Sequence, residues 1–132
     1  MKKKTLLDSF ALLVYLKKED KYHTVKDILS SGADNPVIMN ELNIGETYYI
    51  LARERMIEHA DYFIEVILPS LPITIVSNSF EQIIEASRIK AKYPISYVDC
   101  FAVATAQKEK AVIVTGDPEF KKVEGLVKIE WV

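Results

Sequence analysis

Asp8 ends the short apolar run KTLLD, and a helical pattern begins at the next residue. Open α/β sheets place their chemistry just past the carboxyl ends of strands, so acidic residues in comparable positions are the ones to collect. Asp117 follows the β-branched run AVIVT in a Gly-Asp-Pro turn, and Asp99 stands in the first turn of a helix opened by Ser96. The helix that begins at Asn40 offers Glu41 and Glu46, which at 100° per residue point roughly 140° apart, so only one of them can face a shared crevice. Nearness to the helix N-terminus favours Glu41. The narrow polar stripe that Glu46 shares with Asn43 and Arg53 on an otherwise apolar helix favours Glu46.

Each of these acids also has a plainer use. Asp8 suits a helix N-cap, Ser96-x-x-Asp99 has the spacing of a capping box, Asp117 is an ordinary turn residue, and Glu41 complements a helix dipole. Taken together they describe three or four carboxylates in one crevice, where two unit charges about 4 Å apart repel by about 4 kcal/mol at an effective dielectric near 20. Such a group must take up protons, open, or hold a cation. No His or Cys stands among the four, and an all-oxygen ligand set selects Mg²⁺ or Mn²⁺ over Zn²⁺. His23 and His59 stand alone and read as surface residues.

The elements that must position these acids alternate between two periods. Residues 3–7, 37–39, 73–76, 111–114 and 127–131 read as strands, and ITIV at 73–76 has the composition of a strand buried on both faces. Helical spacing covers 9–17 through Phe10, Leu13, Val14 and Leu16, and then Tyr22, Val25, Ile28 and Leu29 up to Ser31-Gly32. Further helices are expected over 40–55, 57–68, from Ser79 to Tyr93-Pro94, and from Ser96 through Ala106. The helix over 40–55 is apolar around most of its girth, which predicts burial in the core or in an interface. In the helix after Ser79 the inner side is expected to carry Phe80, Ile83, Ile84 and Ile89. Strands alternating with helices predict a three-layer α/β/α sandwich around a parallel sheet of four to five strands, in one domain over 1–132.

Composition narrows the partners. At 132 residues and 15.0 kDa there is room for one core, and a hydrophobic fraction of 49% is high for so small a protein. Some apolar surface is therefore expected to be covered by a partner, most simply by a second copy of the chain. A net charge of −2 excludes a bulk positive field, so any nucleic-acid contact needs a local basic patch. Cys100 is the single cysteine and suits a reducing cytosol. MKKKTLLDSFALLVYL imitates a secretory signal, but Asp8 interrupts its apolar run, no small-residue cleavage site follows, and it is too short to span a bilayer. A cytoplasmic protein with no membrane contact is the expectation.

Four stretches in order, LLDSFALL, NIGETYYIL, SYVDCFAVATA and AVIVTGDPEF, resemble the PIN domain over essentially the whole chain. The short length resembles a VapC-type toxin of a prokaryotic toxin–antitoxin pair. The resemblance implies PIN-like topology and a metal-binding catalytic quartet of Asp8, Glu46, Asp99 and Asp117, steadied by the hydroxyls of Ser9 and Thr115. The family's helix motif maps onto Gly45-Glu46-Thr47-Tyr48-Tyr49 and selects Glu46 over Glu41. Many members carry other residues where this chain has Gly-Asp-Pro, which makes Asp117 a water-mediated or second-ion ligand and Glu119 a spare candidate. The implied activity is endonucleolytic cleavage of RNA with one or two Mg²⁺ or Mn²⁺ ions. Arg53, Arg55, Lys121 and Lys122 are then the candidate basic rim for the RNA substrate. The implied partners are a VapB-like antitoxin and a second copy in a homodimer, and the apolar surplus around Tyr48, Tyr49, Phe63 and Leu68 is where they are expected to dock. The alternatives are a role in RNA processing, or a dimeric antitoxin-binding module with little activity. A two-component receiver needs paired acids after the first strand and a lysine after the last, and a haloacid-dehalogenase phosphatase needs an Asp where Phe10 stands; neither fits.

Overall fold

A computed structural model describes residues 2–132. Five strands, β1 (Thr5–Leu7), β2 (Val37–Asn40), β3 (Ile73–Val76), β4 (Val112–Thr115) and β5 (Ile129–Trp131), form one sheet in the order β3-β2-β1-β4-β5. Every adjacent pair is parallel, with Thr5 in register with Val37 on one side and Val112 on the other. Between them run α1 (Ser9–Leu16), α2 (Tyr22–Ser30), α3 (Glu41–Glu54), α4 (Ile57–Tyr62), α5 (Leu68–Ser70), α6 (Phe80–Lys92) and α7 (Tyr97–Glu109). The expected three-layer architecture with a central parallel sheet is the one that forms.

The period of two along each strand makes the layers. Leu6, Ile38 and Ile113 pack with α6 and α7, whereas Leu7, Val37 and Val114 pack with α1 and α2. A third cluster joins Leu12 and Leu13 of α1 to Ile44 and Leu51 of α3, Ala60 of α4 and Phe63. Leu6, Leu7, Ile113 and Val114 are wholly excluded from water, as central parallel strands must be. Strand order runs outward from β1 through β2 to β3 and then resumes on the other side with β4 and β5. The chain therefore reverses its direction of winding between β1 and β4, where an open α/β sheet leaves a crevice at its carboxyl edge.

Several local expectations are corrected. ITIV is an edge strand, not one covered on both faces: Thr74 and Ile75 are exposed, because β3 has only β2 as a neighbour. On α6 the buried positions are Gln82, Ala86 and Ile89, while Phe80 is 75% exposed and Ile83 also faces solvent. The helix expected over 57–68 is interrupted by a π turn at Phe63–Ile67 that separates α4 from α5. β5 is shorter than expected, starting at Ile129. In α3 the buried residues are Asn43, Ile44, Thr47 and Leu51, and Tyr49 is exposed, so the helix is less enclosed than its composition suggests. Among the described residues no helix is long and apolar enough to cross a membrane.

Candidate active site

Asp8 leaves β1 in extended conformation and caps α1, its Oδ1 accepting the Ala11 N–H at 2.9 Å. Its other oxygen, Oδ2, accepts the Thr115 hydroxyl at 2.5 Å. Thr115 is the last residue of β4, the strand beside β1, so this bond crosses the switch point itself. The helix-cap reading and the site reading of Asp8 are thus both satisfied by one side chain using different oxygens. Thr115 Oγ1 in turn accepts the Asp117 N–H at 3.0 Å, and Asp117 Oδ1 accepts the Glu119 N–H at 3.0 Å, capping the 3₁₀ turn Pro118–Val123.

The other two acids arrive from helices. Asp99 lies in the first turn of α7, where its N–H donates to Oγ of the capping Ser96 at 3.2 Å. Glu46 sits in the second turn of α3 and accepts the hydroxyl of Ser9. Asp8, Glu46, Asp99 and Asp117 all line one crevice of about 260 Å³, together with Ser9, Ser96 and Glu119 and an apolar wall of Phe10, Leu13 and Ile50. Glu41 is not part of it: it is exposed and its Oε2 accepts the Asn78 N–H at 3.1 Å. The axial argument for Glu41 fails because α3 starts over β2, one strand away from the switch point. The bonds from Asn78 to Glu41 and from Ser9 to Glu46 show that the second turn, not the first, comes alongside the crevice.

Burial makes this a costly place for charge. Asp8 is 2% exposed and Asp99 is 6% exposed. Loss of solvent raises the Asp8 carboxyl to about 7, against the pull of the Thr115 and Ala11 hydrogen bonds and with added repulsion from Asp99 and Asp117. Asp99 is likewise raised to about 7, chiefly by desolvation, with Glu46, Asp117 and Glu119 repelling it and Ser96 opposing. A site that pushes two carboxyls this far from their ordinary range has the electrostatics of a cation site, and its donors are all oxygen. Among the described residues no three Asp, Glu, His or Cys side chains converge closely enough to grip an ion in this arrangement. Ser9 and Thr115 instead hold Glu46 and Asp8 in the crevice. The donor chemistry and the shared crevice fit a hard divalent ion, with side-chain closure needed to complete its shell.

The expected basic rim is dispersed, with Lys122 beside the crevice through Glu119, which lines it. Arg53 is exposed, with its guanidinium over the Tyr49 ring at 5.2 Å. Lys122 is occupied by Glu119 at 3.7 Å and the Pro94 carbonyl at 3.3 Å, and Lys121 is exposed. Arg55 lines a separate groove with Leu16, Leu51, His59, Tyr62, Phe63 and Ile67. His23 and His59 are exposed, as expected, and Cys100 is buried and free. Phe63 and Leu68 belong to the core, and the apolar residues left in solvent nearby are Met56, Ile57, Tyr62, Ile64 and Val66.

Sequence reasoning missed three features. Ser96 lines the crevice as well as capping α7, which its place three residues before Asp99 could have suggested. Asn40, fully buried, donates to Asn78 Oδ1 at 2.8 Å and Thr105 Oγ1 at 2.9 Å, tying β2 to α7 and to the segment after β3. Phe10, given helical spacing with core residues, instead stands on the crevice wall, 41% exposed.

The chain is similar in structure to proteins of known architecture. Superposition on a DNA-bound VapBC from Salmonella typhimurium gives a TM-score of 0.78 at 17% identity, covering 98% of each chain. VapBC2 from Rickettsia felis, bound to a promoter DNA fragment, gives 0.77 at 15% identity with 98% of each chain covered. VapC20 of Mycobacterium tuberculosis, a Sarcin-Ricin loop cleaving toxin, gives 0.72 at 18% identity over 94% of this chain and 97% of that one. No curated protein matches the sequence. The model of the PIN domain family matches residues 5–126, from the first strand through the turn after β4, and the chain belongs to that family.

Proposed function

We propose that this PIN domain is a divalent-metal-dependent endoribonuclease, the toxin half of a VapBC-type pair. The observation that carries the reading is the meeting of Asp8, Glu46, Asp99 and Asp117, from four separate stretches of sequence, in one crevice at the β1/β4 switch point. Asp8 and Asp99, the two buried acids, would be the principal ligands of Mg²⁺ or Mn²⁺. Glu46 would complete the shell or orient the attacking water, and Asp117, on the turn, would hold a second ion. A bound ion would supply a lower water pKa and would neutralise charge growing on the phosphate. Ser9 and Thr115 fix the rotamers of Glu46 and Asp8, so that both carboxylates are presented rather than swung into solvent. Because burial raises the Asp8 and Asp99 carboxyls to about 7, a bound ion would have to displace protons there, and its binding would tighten with rising pH.

Structural similarity to VapBC assemblies supports a VapB-like antitoxin as partner. So does the groove of Leu16, Leu51, Tyr62, Phe63 and Ile67 beside the exposed Met56, Ile57 and Val66. A homodimer in the cytoplasm is the assembly that accounts for the remaining apolar surface, and sedimentation of a stable monomer would remove it. The activity is tested by incubating purified protein with single-stranded RNA and Mg²⁺ or Mn²⁺. Cleavage that EDTA abolishes is expected, and Asp8→Asn or Asp99→Asn should remove it. If either variant cleaves as well as the parent, the site assignment is wrong.

A further inference from the structure

Phe10 is the second residue of α1, between Ser9 and Ala11, both buried, and it belongs to none of the three core clusters. It is the largest side chain on the wall of the acidic crevice and remains 41% exposed. A large aromatic ring left in water forgoes the stabilisation its burial would bring. The backbone nonetheless keeps it there. A Cβ on Gly116 would collide with Phe10 Cε1 and lie 2.9 Å from Cδ1, so one ring edge rests against the turn that carries Asp117. Beyond the crevice the same ring lines a second hollow with Val14, Lys21 and Val132. Phe10 therefore stands as a partition between two cavities, with one edge fixed to the site.

No Lys or Arg lines the crevice, and Lys122 at its edge is already paired with Glu119, so a polyanion gains little from direct ion pairing with side chains there. Affinity must draw on another property of the substrate, and the face of a nucleobase is the part of RNA that an exposed ring recognises without regard to sequence. We propose that Phe10 is a stacking platform for the base next to the phosphate presented to the carboxylates. A paired base offers its faces only to its neighbours in the stack, so duplex RNA cannot use the ring. This inference rests on the nuclease reading for its substrate class, and its test separates the two.

The probe is a fluorescein-labelled single-stranded RNA of about 12 nucleotides and mixed sequence, long enough for one single-strand site. It is bound with Ca²⁺ in place of Mg²⁺ and checked by gel to be intact. A matching chain of abasic spacer phosphates is the control. Anisotropy should show Phe10→Ala and Phe10→Leu weakening RNA binding by about 5- to 150-fold, with Phe10→Trp within about threefold of the parent. The abasic chain should bind equally weakly to all four proteins. The leucine variant fills much of the same space, so its loss marks stacking and not a collapsed wall. Parental binding by Phe10→Leu, or a parent that prefers RNA to the abasic chain no more than Phe10→Ala does, overturns the proposal. A parent that binds with the expected pattern yet cleaves nothing with Mg²⁺ or Mn²⁺ refutes the nuclease reading alone. Cleavage by the parent with no effect of Phe10→Leu refutes the platform alone.

Discussion

Replacing Asp8 by Asn removes a carboxylate from a place where it is nearly without solvent, and the metal-free protein should respond in stability. The rise of the Asp8 carboxyl from 3.8 to about 7 corresponds to about 4 kcal/mol at 1.36 kcal/mol per pH unit. That is a large share of the roughly 5–15 kcal/mol by which small domains are stable. The direction follows from proton uptake: between about pH 4 and pH 7 the folded chain holds a proton that the unfolded chain has lost. Stability therefore falls as pH rises through that window and levels off above it. More than half of that cost falls between pH 5 and pH 8. Asp99, raised to about 7 for the same reason, contributes a loss in the same direction.

The assay is urea denaturation followed by circular dichroism in EDTA at pH 5 and pH 8. The parent should be several kcal/mol less stable at pH 8, and Asp8→Asn should show a smaller decline. At pH 8 the variant should be the more stable of the two by about 2 kcal/mol, once about 1–2 kcal/mol is subtracted for the weakened Thr115 hydrogen bond. The Ala11 N–H keeps an oxygen acceptor in the substituted asparagine, so the cap survives. Millimolar Mg²⁺ or Mn²⁺ at pH 8 should then raise the parent's stability more than the variant's. A parent equally stable at both pH values in EDTA, or an Asp8→Asn protein weaker than the parent at pH 8, would refute the electrostatic account of the crevice.

Three further predictions address neighbouring features. Glu46→Gln should lower RNA cleavage by more than the roughly 10- to 100-fold typical of groups that only support a metal ligand, whereas Glu41→Gln should leave it within about threefold; steady-state kinetics decide between them. Gly116→Ala should cost at least about 1–3 kcal/mol of unfolding free energy, because the new methyl meets Phe10 and, at 2.5 Å, the Val132 carbonyl oxygen. Asn40→Ala removes the α3 cap and the links to Asn78 and Thr105, and a loss of about 2–4 kcal/mol should appear as a melting point lower by roughly 10 °C.

The acids are legible because strand ends carry information: β1 and β4 read as apolar runs, and the residues just beyond such a run in a parallel sheet lie at its carboxyl edge. Asp8 and Asp117 are reachable by that rule alone, whereas Thr115 enters through the family resemblance. Glu46 is not reachable in that way, since its position depends on where α3 crosses the sheet. Residue spacing leaves Glu41 and Glu46 open, the family resemblance selects Glu46, and the contacts with Ser9 and Asn78 that set the two apart in space are remote in sequence. The same gap affects ITIV. A β-branched run looks alike at the centre and at the edge of a sheet, and strand order is written in no single segment. Phe80 and Phe10 show the converse, because helical spacing marks which residues share a face but not how much of that face a neighbour covers.

The bond from Thr115 to Asp8 joins residues 107 positions apart. Its consequence concerns the growing chain on the ribosome. Asp8 is made before β4, so β1 stays without that neighbour, and the crevice without Asp117, until more than a hundred further residues have been added. Long-range strand pairing of this kind forms late and slowly. A fragment halted before β4 lacks Asp117 and the Thr115 hydroxyl that holds Asp8. The proposed four-carboxylate site would thus be complete only once β4 and the turn after it have been made.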